Sequence, residues 1–261
     1  TFVALSLALL TANTALAGPP LATDDASTVA VSKVEVELNG AYTHDKERAF
    51  GVTTKCSRTD AEVKITTGLY KNLGISLAIP YSINDRVKEN DQVVGRVNGF
   101  GDMTLEVKYV FAELAGINFA IKPAIIMPTG DYNDGLSEGR WQLDTTLIAT
   151  REFDKGKYAL HANLGYGHHS YRDDEVSNAT RSDLWSGSIA GEVEVAKGLF
   201  AVAEAGLATT ADKITAELSA CATVGARYEI YDFLDINAGV KLGLTKPEDD
   251  VSVLYGLVLK F

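Results

Sequence analysis

Leu234-Asp235-Ile236-Asn237-Ala238-Gly239-Val240-Lys241-Leu242-Gly243-Leu244 is the stretch whose reading decides the fold. Successive side chains of a strand point to opposite sides, so Leu234, Ile236, Ala238, Val240, Leu242 and Leu244 share one face. Asp235, Asn237, Gly239, Lys241 and Gly243 share the other. The next segment repeats the pattern, with Val251, Val253, Tyr255, Leu257, Leu259 and Phe261 opposed to Ser252, Gly256 and Lys260. Alternation over about 10 residues is longer than the ~5–6-residue strand of a soluble protein. It matches the ~9–11 residues with which a tilted strand crosses a bilayer.

Working outward, the same period recurs along the chain. Val34, Val36 and Leu38 alternate with Glu35, Glu37 and Asn39. Val63, Ile65 and Leu69 alternate with Glu62, Lys64 and Gly68, and Ile75 to Ile83 with Ser76 to Asn84. Met103, Leu105, Val107, Tyr109 and Phe111 alternate with Asp102, Thr104, Glu106 and Lys108. Further strands are predicted over 117–128, 141–152, 157–169, 184–196, 199–210 and 217–229, the Ala-rich 199–210 also fitting a helix. The total is about twelve strands. Long polar connections near 44–60, 85–99, 129–140, 170–183, 211–216 and 246–250 take turns with short ones near 71–74, 112–116, 153–157, 196–198 and 230–233. Bacterial barrels sort their loops in this way, long outside and short toward the periplasm. Aromatic residues fall near the predicted strand ends: Tyr81, Trp141, Tyr166 and Trp185 at the outer interface, and Phe111, Phe153, Tyr158, Tyr228, Phe233 and Phe261 at the inner one. The fold class expected is all-β, a transmembrane antiparallel up-and-down barrel. Only a closed sheet can sit in hydrocarbon, because a free edge there would leave its hydrogen bonds unmade.

The 261 residues are 46% hydrophobic and 23% charged, proportions that by themselves do not separate a barrel from a soluble protein. A net charge of −11 argues against nucleic acid as a partner. Phe2 to Leu10 is an apolar run too short to span a bilayer, and Ala15-Leu16-Ala17 follows with small residues where a signal peptidase reads. Residues 1–17 are therefore expected to be a cleavable signal peptide, its basic start lying upstream of Thr1, and 18–261 the barrel. That places the protein in the outer membrane of a Gram-negative bacterium. Cys56 and Cys221 are too few for a disulfide framework, and their pairing is left open.

Three blocks carry a family resemblance. Pro20-Leu21-Ala22-Thr23-Asp24-Asp25, followed by Lys33-Val34-Glu35-Val36-Glu37-Leu38, resembles the opening of the phenol meta-pathway degradation (MetA-pathway) outer-membrane family. Gly99-Phe100-Gly101-Asp102 with Leu105-Glu106-Val107-Lys108-Tyr109 resembles a second block of it, and Lys122 to Asp131 a third. The resemblance implies an outer-membrane barrel often described as a transporter, sometimes linked to aromatic-compound degradation. It implies no agreed substrate and no catalytic residue. Pro123 inside a strand removes a ladder hydrogen bond, so a bulge or irregularity is expected there.

Alternation assigns the lumen. Glu35, Glu37, Glu62, Asp102, Glu106, Asp144, Glu192, Glu194, Glu204, Glu229 and Asp235 are expected inside, together with Lys64, Lys108, Lys122, Arg227, Lys241, Lys260 and His161. About eight strands enclose only side chains and 16–18 an aqueous channel, so a twelve-stranded bore is narrow and shaped by its charges. These charges either define a weakly cation-preferring pore or pair into a plug, since confined charges must be neutralised. Two further clusters carry weaker signals. His168 and Ser170, two apart in a strand, allow the His/Ser chemistry of outer-membrane phospholipases or, joined with Asp173, Asp174 and Glu175, a metal site through imidazole and carboxylate, while the plainer reading is a solvated strand end running into a charged loop. Pro128 to Gly135 is a turn-rich loop that lacks the oxygen spacing of an EF-hand. The expected function is a channel for passive uptake or efflux of a small solute, hydrophobic or aromatic by the resemblance, without cofactor or metal. The alternatives are an outer-membrane hydrolase and a structural or adhesive barrel with a plugged lumen. Expected partners are membrane lipid and lipopolysaccharide, the small solute, and the barrel-assembly machinery through the strand ending in Phe261.

Overall fold

The computed structural model describes residues 20–49 and 51–261, so the expected signal peptide at 1–17 lies outside the described residues. The strands are β1 (Val34–Ala49), β2 (Val52–Tyr70), β3 (Leu73–Glu89), β4 (Gln92–Phe100), β5 (Met103–Leu114), β6 (Ile117–Met127) and β7 (Gln142–Phe153). They continue as β8 (Tyr158–His168), β9 (Asp183–Ala196), β10 (Leu199–Ala208), β11 (Ser219–Tyr231), β12 (Leu234–Gly243) and β13 (Val251–Lys260). All pairings between these strands are antiparallel, and β1 pairs with β13 from Glu35↔Lys260 to His44↔Val251, which closes the sheet. At the seam Val34 N–H donates to the Phe261 carbonyl and Phe261 N–H to the Val34 carbonyl.

Twelve strands form the barrel, and β4 is a thirteenth outside it. The lower half of β3 pairs with β5 (Leu73↔Tyr109 to Ala78↔Thr104), whereas its upper half pairs with β4 (Tyr81↔Phe100 to Glu89↔Gln92). The expected loops at 44–60 and 85–99 are thus corrected to strand: β1, β2, β3 and β4 rise past the rim as a sheet extension. Apolar alternation is required only where a face meets lipid. Beyond it, segments such as Asp45-Lys46-Glu47-Arg48 keep the period with charges and go on pairing. The Ala-rich 199–208 is strand β10, because both neighbours bond it along its full length. The 170–183 connection holds one short helix, α1 (Asp174–Ala179), whose first turn is capped by the Asp173 carboxylate accepting from Glu175 and Val176 N–H.

Short turns gather at the end where β1 begins. Ala115 and Gly116, both at positive φ, turn β5 into β6, and Asn72 does so between β2 and β3. Near Pro123 the β5–β6 ladder passes from Glu106↔Ala124 to Tyr109↔Ile121 with the intervening pairs missing but no change of register, and the bulge itself falls at Val110/Ala112. The outward face is apolar and uncovered, Leu160, Leu164, Ile189 and Val224 each being more than half exposed. Tyr166 and Trp185 pair across β8 and β9 at 4.8 Å near the long-loop end, and Tyr231 stacks on Phe233 at 5.4 Å near the other. Cys56 and Cys221 are free. They lie on β2 and β11, four strand spacings apart along the wall, far beyond the ~7 Å Cα separation that a disulfide tolerates.

Candidate transport lumen

The interior is occupied by the chain's own residues 20–29, which cross from one wall to the opposite wall, and the exposed residues 30–33 then lead into β1. Pro20 lies against Gly225 of β11 and Gly239 of β12, where a Cβ would stand 2.7 and 2.9 Å from the proline ring atoms. Leu21 is buried among Ala190, Val202 and Phe200. The Glu204 carboxylate then accepts from Ala22 N–H at 3.1 Å, Thr23 N–H at 2.7 Å and the Thr23 and Thr223 hydroxyls at 2.8 and 3.0 Å. Four donors on one buried carboxylate hold the backbone and not merely a side chain.

Asp24 follows as the electrostatic centre. Its carboxylate meets Lys108 at 2.7 Å and Lys122 at 2.9 Å. The Asn163 side-chain amide brackets the same residue, accepting from Asp24 N–H at 2.6 Å and donating to its carbonyl at 3.0 Å. Lys122 reaches on to Glu106 at 3.5 Å, and Lys64 closes the chain on Glu106 at 2.8 Å. Three cations and two carboxylates share this buried network, so without Asp24 it would set three cations against Glu106 alone. Next, Ala26 N–H donates to Thr150 Oγ1 at 2.8 Å, and Thr150 stands 3.0 Å from His161 Nδ1. On its other side His161 Nε2 lies 3.4 Å from the Glu192 carboxylate. Ala26 also packs on Ala120, Ile148 and Val110. The segment leaves along β2 through a parallel bridge between Val31 and Gly68, where a Cβ would lie 2.3 Å from the Val29 carbonyl oxygen.

A second side of the bore is different. Asn39 on β1 and Asn237 on β12, both buried, flank Gly256 of β13, and neither amide makes a well-aligned hydrogen bond within the protein. Glu35, Glu37 and Glu62 face inward beside them on β1 and β2. Glu37 Oε2 is likewise buried without a hydrogen-bond partner, so this wall holds polar groups that the protein leaves unpaired.

Residues 27–261 match the family described as "Putative MetA-pathway of phenol degradation". The chain belongs to that family. Among solved structures, the COG4313 outer membrane channel from Pseudomonas putida F1 superposes with a TM-score of 0.75 at 17% identity, over 91% of this chain and 98% of that one. The KdgM porin gives 0.56 at 9% identity, over 87% and 99% of the two chains. The transport unit of the autotransporter AIDA-I from Escherichia coli gives 0.56 at 12%, over 95% and 96%. At these identities the likeness is one of fold, that of outer-membrane barrels. No curated protein matches the chain.

Of the residues assigned to the lumen by family-independent alternation, Lys64, Glu106, Lys108 and Lys122 come together around Asp24. A second group joins Arg227 to Glu192 at 3.4 Å, Glu229 at 2.8 Å and Asp235 at 3.5 Å, with Lys260 on Asp235 at 2.7 Å. Others serve the rims. The buried Asp102 accepts from Gly130 N–H and the Ser137 hydroxyl, tying the 128–141 loop down over β5. Asp144 holds His169 at 2.8 Å, Lys241 holds Glu248 at 2.6 Å, and Glu194 accepts from Gly198 N–H at the β9–β10 turn. In that loop, burial and the nearby Asp102 push the Glu138 carboxyl above its ordinary range, opposed by His169. The expected His168–Ser170 pairing is corrected: β8 ends at His168, whose Nδ1 lies 2.9 Å from Asp183, and no hydrogen bond joins it to Ser170 among the described residues. Among the described residues, no group of three or more His, Cys, Asp and Glu is arranged to hold a metal. Thr150 and Asn163 share the inward parity of Asp144 and His161, but alternation did not reach Thr23, Asp24 or Ala26, because nothing in strand periodicity says that a preceding segment folds back into the bore. The signal in hindsight is the pair Gly225 and Gly239, inward positions with no side chain on adjacent strands.

Proposed function

We propose that the protein is an outer-membrane channel for passive passage of a small solute, held nearly closed in this state by residues 20–29. The observation that carries this reading is the engagement of one extended segment by Glu204, Asn163, Thr150 and the Asp24–Lys108–Lys122 group across a closed twelve-stranded bore. A narrow barrel needs no such segment to fold, since its charges could pair wall to wall. Passage then runs along the β1, β2, β12 and β13 side, or follows withdrawal of the segment. An excess of acids on that side, Glu35, Glu37 and Glu62, favours cations among charged solutes. Family membership supports a hydrophobic or aromatic compound as the natural cargo.

The test is conductance in planar lipid bilayers, comparing the processed chain with one lacking Pro20–Ser27. Several-fold larger unitary conductance in the deleted chain is expected. Equal conductance at equal folding, judged by heat-modifiable gel mobility, would show that the segment does not gate the bore. The burial of Leu21 and Ala26 in apolar clusters favours a second reading, a permanently sealed barrel. That reading predicts no conductance and no solute-driven swelling of liposomes from the intact chain.

A further inference from the structure

The sheet extension has two chemically opposite faces. Cross-strand register sets Lys46 opposite Lys55, Lys55 opposite Lys88, and Arg86 opposite Arg96, and Arg48 follows Lys46 two residues on. These six cations share a single face, because directly opposed residues of an antiparallel sheet point the same way. The reverse face carries Asp45, Glu47, Asp60, Asp85 and Glu89. In a chain of net charge −11, a face with six cations in its strands and no acid among them is not an average of the composition.

The basic face is continuous with the lipid-facing side of the barrel. Below it, on the same strands, stand Leu38, Tyr42, Val63, Ile65 and Ile79, of which the first four are exposed or nearly so. On β1 the change from apolar to cationic occurs between Tyr42 and Lys46, with His44 between them. Four residues at a rise of ~3.3 Å each place Lys46 about 13 Å from Tyr42, within the depth of lipid headgroups. Between belt and cations lies a polar groove of about 270 Å³ lined by Tyr42, Ser57, Thr59, Asn84, Arg86 and Lys88. Among the described residues, Lys46, Arg48, Arg86, Lys88 and Arg96 have no carboxylate within ion-pair distance, and Lys55 pairs only with Asp91 of the β3–β4 turn at 2.6 Å.

We propose that this face docks the phosphorylated headgroup of an outer-leaflet glycolipid, of the lipopolysaccharide type. The belt supplies acyl-chain contact, the groove hydroxyls and amide suit sugar, and Arg86 and Lys88 take phosphate, for which a guanidinium is well shaped. This inference rests on membrane placement and not on the channel reading, so either can fail without the other.

The experiment uses the full processed chain in detergent micelles titrated with diphosphorylated lipid A or with the same glycolipid dephosphorylated, binding being followed by native mass spectrometry. Preference for the phosphorylated form is expected, weakening as salt rises. The variant Lys46→Gln/Arg86→Gln/Lys88→Gln should lose at least about tenfold in affinity for it, as about three surface cations facing an anionic layer would supply. Lys88→Gln alone should lose about two- to threefold, which keeps a readout if the triple variant folds poorly, and Arg140→Gln, an exposed cation in the 128–141 loop, should lose nothing. Inorganic phosphate at matched ionic strength should not compete. Equal binding of both glycolipids, full affinity in the triple variant, or displacement by inorganic phosphate would each overturn the assignment. Conductance should be the same in all these variants.

Discussion

The two sides of the bore are built from the same alternating strands yet solve different problems. Along β5 to β11, buried charges meet partners carried by residues 20–26: Asp24 pairs with Lys108 and Lys122, and Glu204 takes peptide N–H groups. Along β1, β2, β12 and β13, polar groups such as Asn39 and Asn237 are aimed at one another across Gly256 without forming bonds. The difference teaches that inward polarity alone does not make a pore lining. A wall is a lining where its groups lack protein partners, and a socket where the chain itself supplies them.

Variants that remove a socket partner should have the largest effects. Asp24→Asn leaves Lys64, Lys108 and Lys122 against Glu106 alone, so a loss of about 3–5 kcal/mol in urea unfolding is expected, with increased conductance. Unchanged stability and conductance together would remove Asp24–Lys122 as an anchor. Glu204→Ala orphans two N–H groups and should cost about 2–4 kcal/mol, while protease cleavage within 20–26 becomes faster in the folded barrel. Resistance equal to that of the wild type would mean that the carboxylate does not hold the segment. Thr150→Val removes the partner of Ala26 N–H and of His161 Nδ1 and should cost about 1–2 kcal/mol. On the other side, Glu62→Gln should leave stability nearly unchanged and reduce cation preference, measured as reversal potential in a salt gradient. Should it open the channel more than Asp24→Asn does, the contrast between socket and lining is mistaken. His168→Ala, at an exposed rim position bonded to Asp183, should leave conductance as it is.

Much of this was legible in the residues. The apolar and polar faces of β12 and β13 could be read directly, as could the even strand number and the sorting of turns. The inward placement of Lys64, Glu106, Lys108 and Lys122 followed from period two. What period two could not reach was any relation between residues that are not on the same strand. Asp24 comes 84 positions before Lys108, and Thr23 comes 181 before Glu204, so neither pairing has a local signature. The sheet extension was missed for the opposite reason. Its alternation is between acid and base, which a reading for lipid contact passes over as loop.

The sequence by itself determined the class of the protein: strands with one greasy face must close on themselves, because hydrocarbon offers their backbone no partner. Only the tertiary structure decided what fills the enclosed space, since closure brings β5, β6 and β8 to β10 around one point. There the burial of unpaired charge is costly enough to recruit the segment that precedes the first strand.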